Sequence, residues 1–340
     1  MEQRTVELIK TLSIQTTSYK TKKMNKHIMA EVSKIPNTKI FKDNGNLYIT
    51  KGDADTYPCI VAHTDTVHDM YKNFHIFKLD DILFSINGDT LERVGIGGDD
   101  KVGIHIALEV LRTVDVCKVA FFRDEEVGCV GSQAAKMDFF DDVEFVLQCD
   151  RKGYNDFVNN IFGCQLYDDN FSDRIAPILY KYGKEETSGG LTDVYQLVQN
   201  GLGVAVANMS CGYYDPHSDN EYVSITDITN TLDMVLEIFD SMSGTVWTTD
   251  DKDRYLSGSS LQSYQWGRFD EWDDVDLEKR FNGLVEPIDC PCCMNQTDYD
   301  EYVFDHYCYE CDEYVEEIKI RIIDEHTKST SYTIKDIDKL

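Results

Sequence analysis

The sequence predicts an α/β protein with a mostly parallel central sheet flanked by helices, followed by a small C-terminal module. Three observations predict it. Short, almost wholly apolar runs alternate with stretches of helical periodicity; those runs end in polar residues; and two Cys-x-x-C pairs lie close together near the C-terminus.

Residues 3 to 13 and about 23 to 33 carry helical periodicity, and 39 to 50 reads as two strands around Asp43-Asn44-Gly45. The run 57 to 62 has the apolar continuity of a buried strand and delivers His63-Thr64-Asp65 at its end. Residues 76 to 94 suggest a hairpin with its turn at Asn87-Gly88. The stretch Gly95 to Gly103 follows, three glycines in four residues and then Asp99-Asp100, opening a helix over 101 to 113. Taken alone, the two acids read as caps that complement the helix dipole. Strands over 116 to 122 and 143 to 149 end in Arg123-Asp124-Glu125-Glu126 and in Asp150. Helices are expected over 171 to 182, 193 to 200 and 227 to 242, with a strand over 203 to 209 whose exit carries His217.

The chain has 340 residues, 42% of them hydrophobic and 11% aromatic, enough for one large and one small globular unit. Its net charge of −29, with no basic patch, argues against nucleic acid and anionic membrane surfaces as partners. No run of apolar residues is long enough to span a bilayer and the N-terminus lacks a signal-peptide core, so a cytoplasmic protein is expected. Six of the eleven cysteines are scattered singly in apolar contexts, as buried free thiols are in a reducing compartment.

Four strand ends and one loop thus present His63, Asp65, Asp99 or Asp100, Glu125, Glu126, Asp150 and His217. Each has an ordinary structural explanation; their coincidence at successive strand ends does not, because that is where open α/β sheets place their sites. Imidazole and carboxylate ligands without thiolates suit zinc, cobalt or manganese, and a loop acid between the others is placed to bridge two ions.

The motifs VAHTDTV, GIGGDDKVGI, RDEEVGCVGS, CDRKG and YYDPHSDNEYV, in that order, resemble the di-zinc exopeptidase superfamily, most closely the family of peptidase T, aminoacylase and their relatives. The resemblance spans roughly residues 3 to 242. It implies two catalytic divalent metals, zinc or else cobalt or manganese. His63 and Asp150 would hold one, Glu126 and His217 the other, and Asp99 would bridge. It also implies Glu125 as general base and Asp65 as the partner that orients His63. Asp100 is left to cap or support. The segment Thr187 to Asp193 resembles a Gly-Gly-Thr-Asp element with Leu191 inserted, which makes Gly189, Gly190 and Thr192 candidates for substrate binding. Arg174 and Arg151 are candidate carboxylate binders. Only 66 residues separate Asp150 from His217, too few for the lid domain that such enzymes carry between these positions.

Residues 244 to 340 hold 24 acidic and 10 basic residues, a compositional break that places a boundary near Gly244. Three parts follow: a catalytic domain over 1–243, an acidic aromatic connector over 244–285, and a ribbon with its tail over 286–340. The connector's aromatic content suggests that it packs against the catalytic domain. Cys290, Cys293, Cys308 and Cys311 form two pairs spaced as in a zinc ribbon, with one structural zinc and Cys292 spare. This module is acidic, so its expected contact is protein or a second copy of the chain.

The sequence therefore points to metal-dependent hydrolysis of an amide bond in small peptides, by an aminopeptidase or a di/tripeptidase. One alternative keeps the chemistry and takes N-acyl amino acids; another is a non-catalytic scaffold acting through the ribbon.

Overall fold

The computed structural model describes residues 2–248, 298–300, 305–308 and 313–314. The chain divides into two compact units, Met1–Tyr264 and Gln265–Leu340.

The first unit is built on a nine-stranded sheet. Its strands are β1 (Thr38–Asp43), β2 (Asn46–Lys51), β3 (Tyr57–His63), β7 (Cys117–Phe122), β8 (Val143–Gln148), β9 (Asp156–Ile161), β10 (Cys164–Gln165), β11 (Glu185–Gly189) and β12 (Ala205–Met209). They run in the order β1-β2-β7-β3-β8-β12-β9-β10, with β11 paired to β9. The centre β7-β3-β8-β12 is parallel, and antiparallel pairs join it to β2 and to β9. Every residue of these four central strands is buried, as expected for parallel strands covered on both faces. The covering helices are α1 (Glu2–Ser13), α2 (Lys22–Val32), α3 (Gly98–Thr113), α4 (Val130–Gln133), α5 (Asp169–Tyr182), α6 (Asp193–Gln199) and α7 (Ile225–Met242). The α5 helix starts at Asp168, whose side chain accepts from Phe171 N at 2.9 Å, and stops at Gly183 in the left-handed region. Ser224 caps α7 in the same way by accepting from Asp227 N at 3.2 Å.

A second sheet contains β4 (Phe74–Leu79), β5 (Ile82–Asn87), β6 (Arg93–Val94), β13 (Tyr213–Tyr214) and β14 (Tyr222–Ser224). The expected hairpin turn at Asn87-Gly88 is here, opening the loop between the antiparallel β5 and β6, and a second turn at Asp80-Asp81, with Asp80 at φ 52°, joins β4 to β5. Between Asp150 and His217 the chain forms β9 to β12, α5, α6 and β13, so these residues build and cover the sheets. Past α7, Trp247 stacks edge-on against Phe171 at 5.7 Å and its amide donates to Glu144 O at 2.9 Å. The described start of the expected connector thus packs on this unit.

In the second unit the described residues are three short antiparallel strands, β15 (Asp298–Asp300), β16 (Asp305–Cys308) and β17 (Glu313–Tyr314). Cys290, Cys293 and Cys311 lie outside the described residues, as does the Cys308 side chain. The six scattered cysteines are all buried and free.

His105, on the buried α3, shows what this core costs in acid. Its Nδ1 is buried without a partner among the described residues. Burial, and then the positive charges of Arg112 and Arg4, push its pKa down to about 3. The unfolded chain binds a proton near 6.5 that the folded chain refuses until about pH 3, so stability falls as pH drops through that window. With chelator present and urea unfolding at pH 7 and pH 4, His105→Leu should lose less stability than wild type, by on the order of 3 kcal/mol. Equal losses would show that His105 is not the group responsible.

Candidate metal centre

The parallel strands deliver their acids and imidazoles to one edge of the sheet. His63 ends β3, Glu125 and Glu126 follow β7, Asp150 follows β8, and Asp99 stands at the start of α3. His217, with φ 60°, comes from the loop between β13 and β14. All seven residues expected at the centre, Asp65 included, are brought together.

Asp99 is the pivot. Its Oδ1 lies 3.1 Å from His63 Nε2, and its Oδ2 lies 3.3 Å from His217 Nε2. Asp150 Oδ1 lies 3.6 Å from the same His63 nitrogen, and Glu126 Oε2 lies 3.1 Å from the same His217 nitrogen. Two imidazole–carboxylate pairs therefore face opposite oxygens of one carboxylate. Donor atoms of His63, Asp99 and Glu126 fall within 4.8 Å of one another.

Asp100 also comes that close to His63 and Asp150. Both of its oxygens are already committed, however, Oδ2 accepting from His63 N and Oδ1 from Gly103 N, each at 3.0 Å. It ties the start of α3 to the end of β3. Residues 99 and 100 leave helical geometry and are joined by a cis peptide.

The electrostatics are those of a crowded anionic site. Burial first, then the carboxylates of Asp150, Asp193 and Glu126, raise the Glu125 pKa to about 9 against the pull of His63. Burial, and then Asp99, raise Asp150; Glu126 is raised first by burial and further by Asp99. Hydrogen bonds to Asp99 and Glu126 hold His217 up to about 10. For His63, burial pulls downward, but Asp150, Asp65 and Asp99 outweigh it. Burial would likewise raise Asp99, yet the two imidazoles hold it well below the usual carboxylate range. Protons therefore sit where cations would. Imidazole nitrogens and carboxylate oxygens in this arrangement, with Glu126 Oε1 buried and without a partner among the described residues, fit divalent metal ions whose binding would displace those protons.

Around the centre, acceptors hold backbone. Asp65 stands with Oδ1 3.4 Å from His63 Nδ1 and accepts from Ser18 Oγ, Glu125 N and Glu126 N at 2.7, 3.0 and 3.3 Å. Glu221, fully buried, accepts from His68 Nε2 at 2.7 Å, Gly97 N at 2.6 Å and Asp99 N at 3.1 Å. Asp193 is also fully buried. Ser132 Oγ donates to its Oδ1 at 2.5 Å, its Oδ2 has no partner among the described residues, and burial raises its pKa to about 7. Sequence reasoning missed Glu221, Asp193 and Ser18. Two of them stand inside segments already singled out, YYDPHSDNEYV and Thr187 to Asp193, and that position was the available signal.

The other candidates separate. Gly189, Gly190 and Thr192 line a cleft that opens beside Asp150, and Thr192 Oγ1 reaches Asp150 Oδ2 at 3.2 Å. Arg151 lines it too, but its Nε is paired with Asp156 at 2.6 Å. Arg174 is a correction: it is exposed on α5 and donates to Ser241 O at 2.9 Å, at the end of α7. Its helical position turns it toward that neighbouring helix.

No family model and no curated protein sequence matches the chain. Solved structures do. Aminopeptidase PepT from Bacillus cereus ATCC 10987 superposes with TM-score 0.60 at 13% identity, over 71% of this chain and 98% of that one. A tripeptidase from Staphylococcus aureus subsp. aureus Mu50 gives 0.56 at 13%, over 70% and 97%. Aminopeptidase APDkam598 from the archaeon Desulfurococcus kamchatkensis gives 0.54 at 17%, over 72% and 96%. The chain shares its fold with these peptidases.

The Glu221 contacts generate a prediction. Glu221→Gln preserves volume but turns an amide NH2 toward backbone N–H groups of the Gly97–Asp99 loop. Calorimetric titration with Zn2+ should show about 10- to 100-fold weaker binding at the centre, while the apo protein still melts cooperatively, at a lower temperature because buried donors lose their acceptor. Undiminished affinity would remove Glu221 from the machinery of the site.

Proposed function

We propose that the chain is a hydrolase with a two-metal centre that cleaves the amide bond of short peptides. The observation that carries this reading is the split of the Asp99 carboxylate between two imidazole–carboxylate pairs. The shared fold with an aminopeptidase and a tripeptidase supports it. In this assignment His63 and Asp150 hold one divalent ion, Glu126 and His217 the other, and Asp99 bridges; zinc is the first choice, with cobalt or manganese as substitutes. Catalytic residues fall within 1–243, a connector spans 244–285, and 286–340 carry one structural zinc on Cys290, Cys293, Cys308 and Cys311.

When bound, such ions lower the pKa of water to about 7 and polarise the scissile carbonyl. The chain's own residues do the rest. Glu125 is the general base: with cations bound beside it its pKa would fall from the raised value of the bare site, and its carboxylate removes a proton from the attacking water and returns it to the leaving amine nitrogen. Asp65 anchors the Glu125 and Glu126 backbone and stands beside His63, so base and ligands keep a fixed relation. Cys129 Sγ donates to Glu125 Oε1 at 3.4 Å and helps to orient it.

Hydrolysis of a panel of di- and tripeptides and N-acyl amino acids, with added Zn2+ and again with chelator, tests the reading. Wild type should cleave free peptides and lose activity with chelator. Glu125→Gln should lower kcat by about 10²- to 10⁴-fold while metal content stays the same. Equal rates in mutant and wild type would refute the assignment of Glu125, and an inert wild type would refute the reaction.

A further inference from the structure

We propose that a row of aromatic side chains on the outer face of the second sheet, with Arg93 seated on it, positions His217 and thereby sets the affinity of the second metal site; this rests on the two-metal reading above. Among the five proposed ligands His217 stands apart. Its side chain is 52% exposed, against 13% for Asp99 and less for His63, Glu126 and Asp150. The other four stand at strand ends of the nine-stranded sheet or at the start of α3, whereas His217 hangs from a loop of the second sheet. His63 Nδ1 stands beside Asp65, but His217 Nδ1 has no partner among the described residues. A metal-bound imidazole ordinarily needs such a partner to fix its ring. For His217 the backbone of the loop must do that work.

That loop, Asp215 to Glu221, holds Asp215 at φ 51° and His217 at φ 60°. Residues other than glycine keep such angles only where their surroundings impose them. Within the loop Ser218 Oγ donates to Asp215 O at 2.8 Å and Glu221 N donates to Ser218 O at 3.2 Å. At its base Tyr214 and Tyr222 lie opposite each other, their rings stacked at 5.0 Å and 10°. At its far end Arg93 Nη2 donates to Asn220 O at 2.7 Å and to Glu221 O at 3.2 Å. The loop is therefore gripped where it leaves the sheet and where it returns.

Both grips belong to one row. The Arg93 guanidinium lies 5.2 Å from the centre of the Phe84 ring; Phe84 is opposite Tyr222 on one side and opposite Phe77 on the other, stacked on the latter at 5.9 Å. Phe77, Phe84, Tyr222 and Tyr214 thus cross four strands on the side away from the buried Leu83, Val223 and Tyr213. Polar residues are usual on the outward face of an antiparallel sheet. Aromatic cross-strand pairs here stiffen the two short strands that carry the loop. The inner face is anchored to the other metal site, because Tyr213 Oη donates to Asp150 Oδ1 at 3.2 Å.

The test is Co2+ titration read on the absorption bands of nitrogen and oxygen ligation. Tyr214→Ala should hold one ion as wild type does and the other about 10- to 100-fold more weakly. Tyr214→Phe keeps the ring and loses only the hydroxyl that donates to Asp227, so its affinities should stay near those of wild type. Arg93→Ala, at an exposed position, should fold as wild type does and weaken the same ion, which decides the matter if Tyr214→Ala does not fold. In a His217→Ala background neither change should weaken metal binding further. Unchanged affinities, equal weakening of both ions, or a further loss in that background overturns the proposal. Failure of the two-metal reading looks different, because wild type would then take up fewer than two such ions. Amide hydrogen exchange of the metal-free proteins decides in that event. Faster exchange at Glu221 in Tyr214→Ala and Arg93→Ala, but not in Tyr214→Phe, supports the positioning of the loop, and equal exchange overturns it.

Discussion

Like charge held at short range is the constraint on which this structure depends. Asp99, Glu126 and Asp150 converge on two imidazoles at 3.1 to 3.6 Å, with Glu125 and the buried Asp193 close enough for their fields to act on one another. Such a set cannot all be ionised in a low-dielectric site without compensating positive charge. Raised carboxylates and protonated imidazoles are the response of the chain alone, and divalent cations would compensate more completely.

Holding repelling groups together requires a rigid frame, and the frame is made mostly of backbone hydrogen bonds to buried carboxylates. Asp65 joins the exits of β3 and β7, Asp100 joins β3 to α3, and Glu221 holds the loop that carries Asp99. The segment between α1 and α2 closes the ring. Ser18 donates to Asp65, Thr16 donates to Thr64 O at 2.8 Å, and Thr66 donates to Thr16 O at 2.7 Å. These bonds are short-range and buried, so a displacement at any of them reaches the centre directly. The parallel strands beneath set the spacing of the whole arrangement.

Much of this was legible in the sequence, for a physical reason. Buried parallel strands are continuous apolar runs, and β3, β7 and β8 are bounded by the polar residues they deliver, so His63, Glu125, Glu126 and Asp150 could be located by position alone. Between Asp99 and Asp100 spacing could not decide. In three dimensions Asp100 is consumed by two backbone amides, whereas Asp99 faces both imidazoles. The strands β9 and β11 escaped notice because Asp156–Ile161 carries two central asparagines and Glu185–Gly189 is a polar strand with no apolar residue. For Glu221 and Asp193 the only signal was their place inside the singled-out segments, since nothing else in a sequence distinguishes a solvated acid from one buried against a backbone more than 120 residues away, as Glu221 is, or against a distant hydroxyl, as Asp193 is. Arg174 misled for the converse reason: charge alone suggested a binder, and helix packing directs it elsewhere.

The central claim is that Asp99 is shared between two cation sites, and Co2+ titration followed by absorption spectroscopy tests it most directly. In the protein of residues 1–340, two Co2+ ions should give the weak visible bands of nitrogen and oxygen ligation, distinct from the intense thiolate bands that the proposed site on Cys290, Cys293, Cys308 and Cys311 would add. Asp99→Asn should lose both weak-band ions together, while Asp100→Asn keeps both at reduced affinity. One ion retained at full affinity in Asp99→Asn, or both lost only in Asp100→Asn, would contradict the account.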